Sequence, residues 1–216
     1  DIQYRGVIEG YYGVPYNADV TKDLFRFMAR YKMNSYMYGA KSDPYHSHKW
    51  AEAYPDSITA NQKEIGFLSS DMMRDIVEVS HQNKVNFIWA IHPGVAFTNP
   101  EDNDVINRIM SKFQIMYDLG VRQFGVFVDD IGVPEDQPTL ELNAKRLGEV
   151  QTAVEERWNK TYTTPADTVK PINFVPQLYA YSWVTPETRA RFFGALGKTH
   201  PQCIIYITGA NSWSVP

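Results

Sequence analysis

Short apolar runs rich in β-forming residues alternate with longer amphipathic stretches along the whole chain, and this rhythm restricts the fold more than any other feature. It predicts parallel strands joined by crossover helices. The expected strands are Tyr4 to Glu9, Ser35 to Gly39, Asn86 to Ile91, Gln123 to Val128, Ile172 to Leu178 and Ile204 to Thr208. Apolar residues at i, i+3, i+4 spacing predict helices near 18–32, 69–83, 103–118, 139–159 and 186–197. Ser70 and Asn103 are candidate caps, and Gly120 is a candidate C-terminal stop. The Thr-rich segment Thr161 to Lys170, with Pro165, reads as a loop before the fifth strand.

Such a series of units builds either an open doubly wound sheet or a barrel. The residues that end the strands favour the barrel. Glu9, Lys41 with Asp43, His92, Asp129 with Asp130, Tyr179, and Thr208 with Asn211 each follow or close a strand. A (β/α)8 barrel gathers all such positions on its C-terminal rim, where its active sites are built, whereas an open sheet gathers those at its switch point. The expected fold is therefore α/β, a (β/α)8 TIM-type barrel truncated after about six strand–helix units, with residues 1–216 forming one domain. Two strands of a complete barrel are missing from the pattern.

Composition removes several function classes. A formal net charge of -4 without basic clusters disfavours nucleic acid, whose binding rests on concentrated Lys and Arg. No run approaches the ~18 apolar residues of a membrane span. The 14 Tyr and 5 Trp suit a neutral ligand such as a sugar, since their rings offer apolar platforms with a polar edge. Cys203 is the single cysteine, lies in a β-like run and reads as a buried strand residue. The chain opens on Asp1 with no signal-like segment, the look of a mature fragment. Compartment and oligomeric state are not legible.

The strongest chemical feature is Phe124-Gly-Val-Phe-Val-Asp-Asp-Ile131, a buried-type strand ending in two carboxylates. Neighbouring carboxylates repel when both are charged, which suits one of them to hold and hand over a proton. The bland alternative is a strand end and turn cap. His46 and His48 form a His-x-His pair that could start a metal site, but the remaining histidines do not complete an obvious ligand set, and no metal is expected.

Five segments taken together resemble the catalytic domain of glycoside hydrolase family 84. They are Tyr4 to Pro15 (YRGVIEGYYGVP), Met33 to Lys41 (MNSYMYGAK), Asp43-Pro-Tyr-His46, Phe87 to Gly94 (FIWAIHPG) and Phe124 to Ile131. The family comprises β-N-acetylglucosaminidases, including O-GlcNAcases and so-called hyaluronidases, and the resemblance runs through essentially the whole chain. It implies that Asp129 accepts a hydrogen bond from the substrate acetamido N–H and that Asp130 is the general acid/base. The acetamido oxygen is then the nucleophile, so neither a cofactor nor a metal is called for. The resemblance further implies sugar contacts from Gly6 and Lys41, an acetamido-pocket wall from Tyr179, and a substrate-binding position for Thr208 at the end of the sixth strand. Asp43 either contacts substrate or shapes its turn. The partner implied is an N-acetylglucosamine-bearing glycan or glycoprotein, and the analogy leans towards a bacterial, exported enzyme.

This chain departs from the family pattern at several points. Ser42 stands in a commonly Lys-Asp-Asp triplet, Gln177 and Leu178 replace a Thr-Glu pair, and Ile207 replaces a tryptophan. The family continues with a segment whose Asp and Asn side chains grip sugar hydroxyls, and this chain stops at Pro216 before it. A catalytically weak, carbohydrate-binding relic is therefore the second reading.

Overall fold

A computed structural model describes residues 2–213. The elements run β1 (Gly6–Glu9), α1 (Ala18–Arg30), β2 (Ser35–Tyr38), α2 (Ala60–Glu64), α3 (Ser70–Gln82), β3 (Asn86–Ile91), α4 (Val105–Asp118), β4 (Gln123–Phe127), α5 (Gln137–Val154), β5 (Asn173–Val175), α6 (Pro186–Leu196) and β6 (Ile204–Ile205). The fold is α/β, with six parallel strands that neighbour one another in chain order, the succession of the first six strands of a (β/α)8 barrel. All six strands and five of the helices coincide with the sequence-based expectation. Each strand is shorter than its apolar run or equal to it, because pairing ends where the chain turns away. The short α2 had no periodic signature and rests on a capping box between Thr59 and Gln62.

Local chemistry explains most boundaries. Asn17, Asp136 and Thr185 cap α1, α5 and α6 by accepting a main-chain N–H from the first turn. The cap of α3 is Ser69 rather than Ser70. Ser69 accepts from Met72 N, while the Ser70 hydroxyl donates to the carbonyl of Tyr54 at 2.8 Å. Gly120 follows α4 with φ +104°, a left-handed stop that a side chain would strain. The 161–170 loop is held by Asn159, whose side chain donates to Val169 O and accepts from Val169 N.

The chain divides into two compact units: residues 1–91 with 111–124, and residues 92–110 with 125–216. In the first, β1, β2 and β3 pair in register, Gly6 opposite Ser35 and Ser35 opposite Asn86, and the Asn86 side chain donates to Gln123 at 2.6 Å. Its core is aromatic. Phe25 meets Tyr36 edge-on at 5.1 Å, and Phe113 stacks on Phe124 at 4.2 Å.

In the second unit β4, β5 and β6 pair through Gly125, Asn173 and Ile204. Leu147, Val150, Trp158 and Ile172 are buried there, and Phe97 packs on Phe174 at 6.0 Å. Arg146, buried on α5, donates to the carbonyls of Ala96, Phe97 and Asp102 at 2.6–2.9 Å. It thereby fixes the segment that follows His92.

Candidate active site

In the second unit, the end of β4 supplies the carboxylate pair. Asp129 is buried and Asp130 exposed. The break in direction comes from Asp130, whose φ of +60° is left-handed and uncommon outside glycine, Asn and Asp.

His92, at the end of β3, holds this turn. Its Nε2 lies 2.7 Å from the main-chain oxygen of Asp129 and 3.6 Å from Asp129 Oδ1. A carbonyl can only accept, so Nε2 carries the proton. Tyr179, just past β5, has its phenol pushed above the ordinary range, first by burial and then by the nearby charges of Asp130 and Asp129. Its ring meets Trp183 edge-on at 4.5 Å. Thr208 is joined to Tyr179 rather than free: its N–H donates to Tyr179 O at 2.8 Å, and its hydroxyl lies 3.0 Å from that oxygen and 2.7 Å from Asn211 O. His92, Asp129, Asp130, Tyr179 and Thr208 therefore form one local arrangement.

The first unit carries Gly6, Lys41 and Asp43. At Gly6 a β-carbon would run into the carbonyl oxygen of Ser35, so the close packing of β1 on β2 alone requires glycine there. Lys41 is half-buried in the turn after β2, its N–H donating to Tyr11 O at 3.2 Å. Asp43 is buried with both oxygens engaged. Oδ2 accepts from the hydroxyls of Tyr38 and Tyr54, each at 2.6 Å, and Oδ1 accepts from Tyr45 N at 2.8 Å. Burial raises the Asp43 carboxyl above its usual range, against the lowering effect of those donors and of Lys112. A cleft of about 400 Å³ borders Asp43, with Ser42, Tyr45, Lys49, Gln62 and Phe67 on its walls.

Glu9, noted in the sequence as a strand end, is fully buried and accepts hydrogen bonds from Tyr36, Tyr16 N and Tyr11. Burial raises its carboxyl as well. His46 donates from Nδ1 to Ala90 O at 2.6 Å, a packing role. Among the described residues no three His, Cys, Asp or Glu side chains gather as a metal site would require. Nor is any described helix long and apolar enough to cross a membrane.

Sequence reasoning passed over Lys112. It lies on α4 among the buried residues Ile109, Phe113 and Met116, at 0% exposure, with its ammonium 4.9 Å from the centre of the Tyr54 ring and 5.1 Å from that of Trp89. Desolvation lowers its pKa from 10.5 to about 8, while the charges of Asp43 and Glu52 resist that fall. The available signal was a lysine inside an apolar stripe, which reads as a break in pattern until its partners are known. From pH 7 to 9 the unfolded chain keeps this proton and the folded chain releases it. Stability due to Lys112 therefore rises with pH across that window. Chemical denaturation at pH 7 and pH 9 should show wild type gaining roughly 1 kcal/mol relative to Lys112→Met. An unchanged difference would refute the perturbed lysine.

A family model described as beta-N-acetylglucosaminidase matches residues 5–215, nearly the whole chain. This chain belongs to that family of glycoside hydrolases. The protein O-GlcNAcases of Rattus norvegicus and Mus musculus are each 30% identical over 128 residues, 58% of this chain and 12% of theirs. Among solved structures, CpGH84D is 31% identical with a TM-score of 0.74, covering 97% of this chain and 32% of its own. A mutant of the Thermobaculum terrenum O-GlcNAc hydrolase is 25% identical with a TM-score of 0.73, covering 97% and 42%. The chain thus spans a minor part of each relative's length.

Proposed function

We propose that this chain carries the catalytic carboxylates of a retaining β-N-acetylglucosaminidase that removes terminal N-acetylglucosamine from glycans or glycoproteins. The observation that carries the reading is the Asp129–Asp130 pair, adjacent in sequence yet held in opposed surroundings, one buried and tied to His92, the other exposed on a left-handed turn. Asp129 accepts the acetamido N–H and aims the acetamido oxygen at the anomeric carbon. That oxygen forms the new bond as the glycosidic bond breaks, and Asp130 gives its proton to the departing oxygen. The resulting oxazoline-type intermediate is opened by water, whose proton returns to Asp130. Two inversions at the anomeric carbon give net retention, with no enzyme nucleophile. Tethering the nucleophile to the reacting ring replaces a bimolecular encounter.

Gly6 and Lys41 contact the sugar in this reading, Tyr179 walls the acetamido group, and Thr208, past the end of β6, supports Tyr179 through its main-chain N–H. The second reading, a sugar-binding relic, draws on Ser42, Gln177, Leu178 and Ile207 and on the engaged hydroxyl of Thr208. Calorimetry on the full-length protein separates the two. An enzyme built around the intermediate binds an oxazoline-shaped bicyclic mimic at least ~10²-fold more tightly than N-acetylglucosamine itself. Equal affinity for the two compounds would sink the catalytic reading and leave the relic.

A further inference from the structure

Buried lysines without a carboxylate in direct contact are rare, because the charge loses its hydration, so Lys112 calls for a reason. It sits where α4 otherwise presents apolar residues to the core. Three aromatic rings face its ammonium: Tyr54 at 4.9 Å, Trp89 at 5.1 Å and Tyr45 at 5.7 Å. It also donates to the main-chain oxygen of Glu52. Rings present their negative faces to a cation, so this cage is matched to a charged occupant.

The cage is continuous with the turn after β2. Tyr54, which faces Lys112, donates its hydroxyl to Asp43 Oδ2 and accepts from Trp89 Nε1 at 3.1 Å. Asp43 in turn organises the segment around itself. Its carboxylate accepts from Tyr45 N, and its main-chain oxygen accepts from His46 N at 3.3 Å and from Ser47 N at 3.2 Å. The Ser47 hydroxyl lies 2.9 Å from Asp43 O and 3.2 Å from Lys41 O. An unbroken series of contacts therefore runs from Lys112 through Tyr54 and Asp43 to the backbone of Lys41.

We infer that Lys112 is a positioning residue: its buried charge, opposed to Asp43 through the tyrosine cage, sets the turn that carries Lys41 against the substrate. The inference rests on the sugar-contacting role proposed above for Lys41. It gives Asp43 its place as well, since a carboxylate with both oxygens engaged inside the fold acts on substrate through the turn and not by touching it. Truncating the lysine leaves Asp43 buried without its balancing charge, and the turn relaxes.

The test is steady-state kinetics of the full-length protein on an aryl N-acetyl-β-glucosaminide. Lys112→Met is expected to raise KM about five- to tenfold with kcat changed less than twofold, the pattern of lost binding shared by ground and transition states. Lys41→Ala should raise KM similarly, and the double variant should be no worse than the worse single one, because both changes remove one contact. Lys112→Arg, which keeps a cation over the rings, should restore KM to within about twofold. Asp43→Asn is a second, nearly isosteric entry to the same network and should give the same KM effect without additivity to Lys41→Ala.

Multiplicative KM effects in the double variants would overturn the inference and leave the catalytic reading intact. So would a Lys41→Ala variant with unchanged KM. Loss of turnover in every variant, with wild-type melting behaviour and unchanged affinity for N-acetylglucosamine, would overturn it too, since positioning of a binding contact does not act on kcat alone.

Discussion

Replacing Asp130 by Asn is expected to lower kcat/KM on substrates with poor leaving groups by roughly 10²–10⁴-fold, the usual worth of a positioned proton donor. Asn is the right substitution because Asp130 adopts a left-handed backbone that Asn tolerates nearly as well as Asp, whereas Ala would add strain to the chemical loss. The defect should shrink as the leaving group becomes more acidic. A nitrophenolate departs with little protonic help, whereas an alkoxide-type leaving group needs the proton in the transition state. Kinetics across a series of aryl and alkyl N-acetyl-β-glucosaminides would show it as a steepened dependence on leaving-group acidity. A uniform loss across the series would remove Asp130 from the acid role.

Asp129→Asn should have the second largest effect, with the opposite signature. The variant keeps the side-chain shape in a buried position beside His92 but loses the charge that polarises the acetamido N–H. Aim and polarisation serve the acetamido nucleophile, which is the same in every substrate, and supply no proton to the leaving group that departs in the same step. We therefore expect a fall in kcat of about 10²–10³-fold, the range seen when a preorganised electrostatic contact to the reacting group is removed. It should be similar for all leaving groups. The same series of substrates measures it, and a loss confined to poor leaving groups would exchange the two roles. Melting temperatures close to wild type for both Asn variants would exclude misfolding as the cause.

The secondary structure was largely legible because periodicity is a local property. An apolar face at 3.6 residues and a β-branched run need no knowledge of partners, so the strands from β1 to β6 and the helices α1 and α3 to α6 emerge from their own residues. Boundaries moved where tertiary contacts competed. Ser70 looked like a cap, yet its hydroxyl serves Tyr54, sixteen residues earlier, and Ser69 takes the cap. The five-residue α2 escaped because one turn and a half gives no period to detect.

For the candidate site, chain order carried the identities: Asp129 and Asp130 close a strand, His92 closes another, Lys41 and Asp43 follow a third. By itself the sequence determined the alternation of parallel strands and helices, and with it which residues end the strands, since both depend on near neighbours along the chain. Only the tertiary structure decided what each of those residues does there. It buried Asp129 and exposed Asp130 through a backbone φ of +60°, tied Thr208 to Tyr179, and closed the Asp43 carboxylate in under the Tyr38 and Tyr54 hydroxyls beside the ring cage that holds Lys112. Burial, charge pairing and hydrogen-bond partners depend on residues that meet across tens of positions, and no local pattern encodes those meetings.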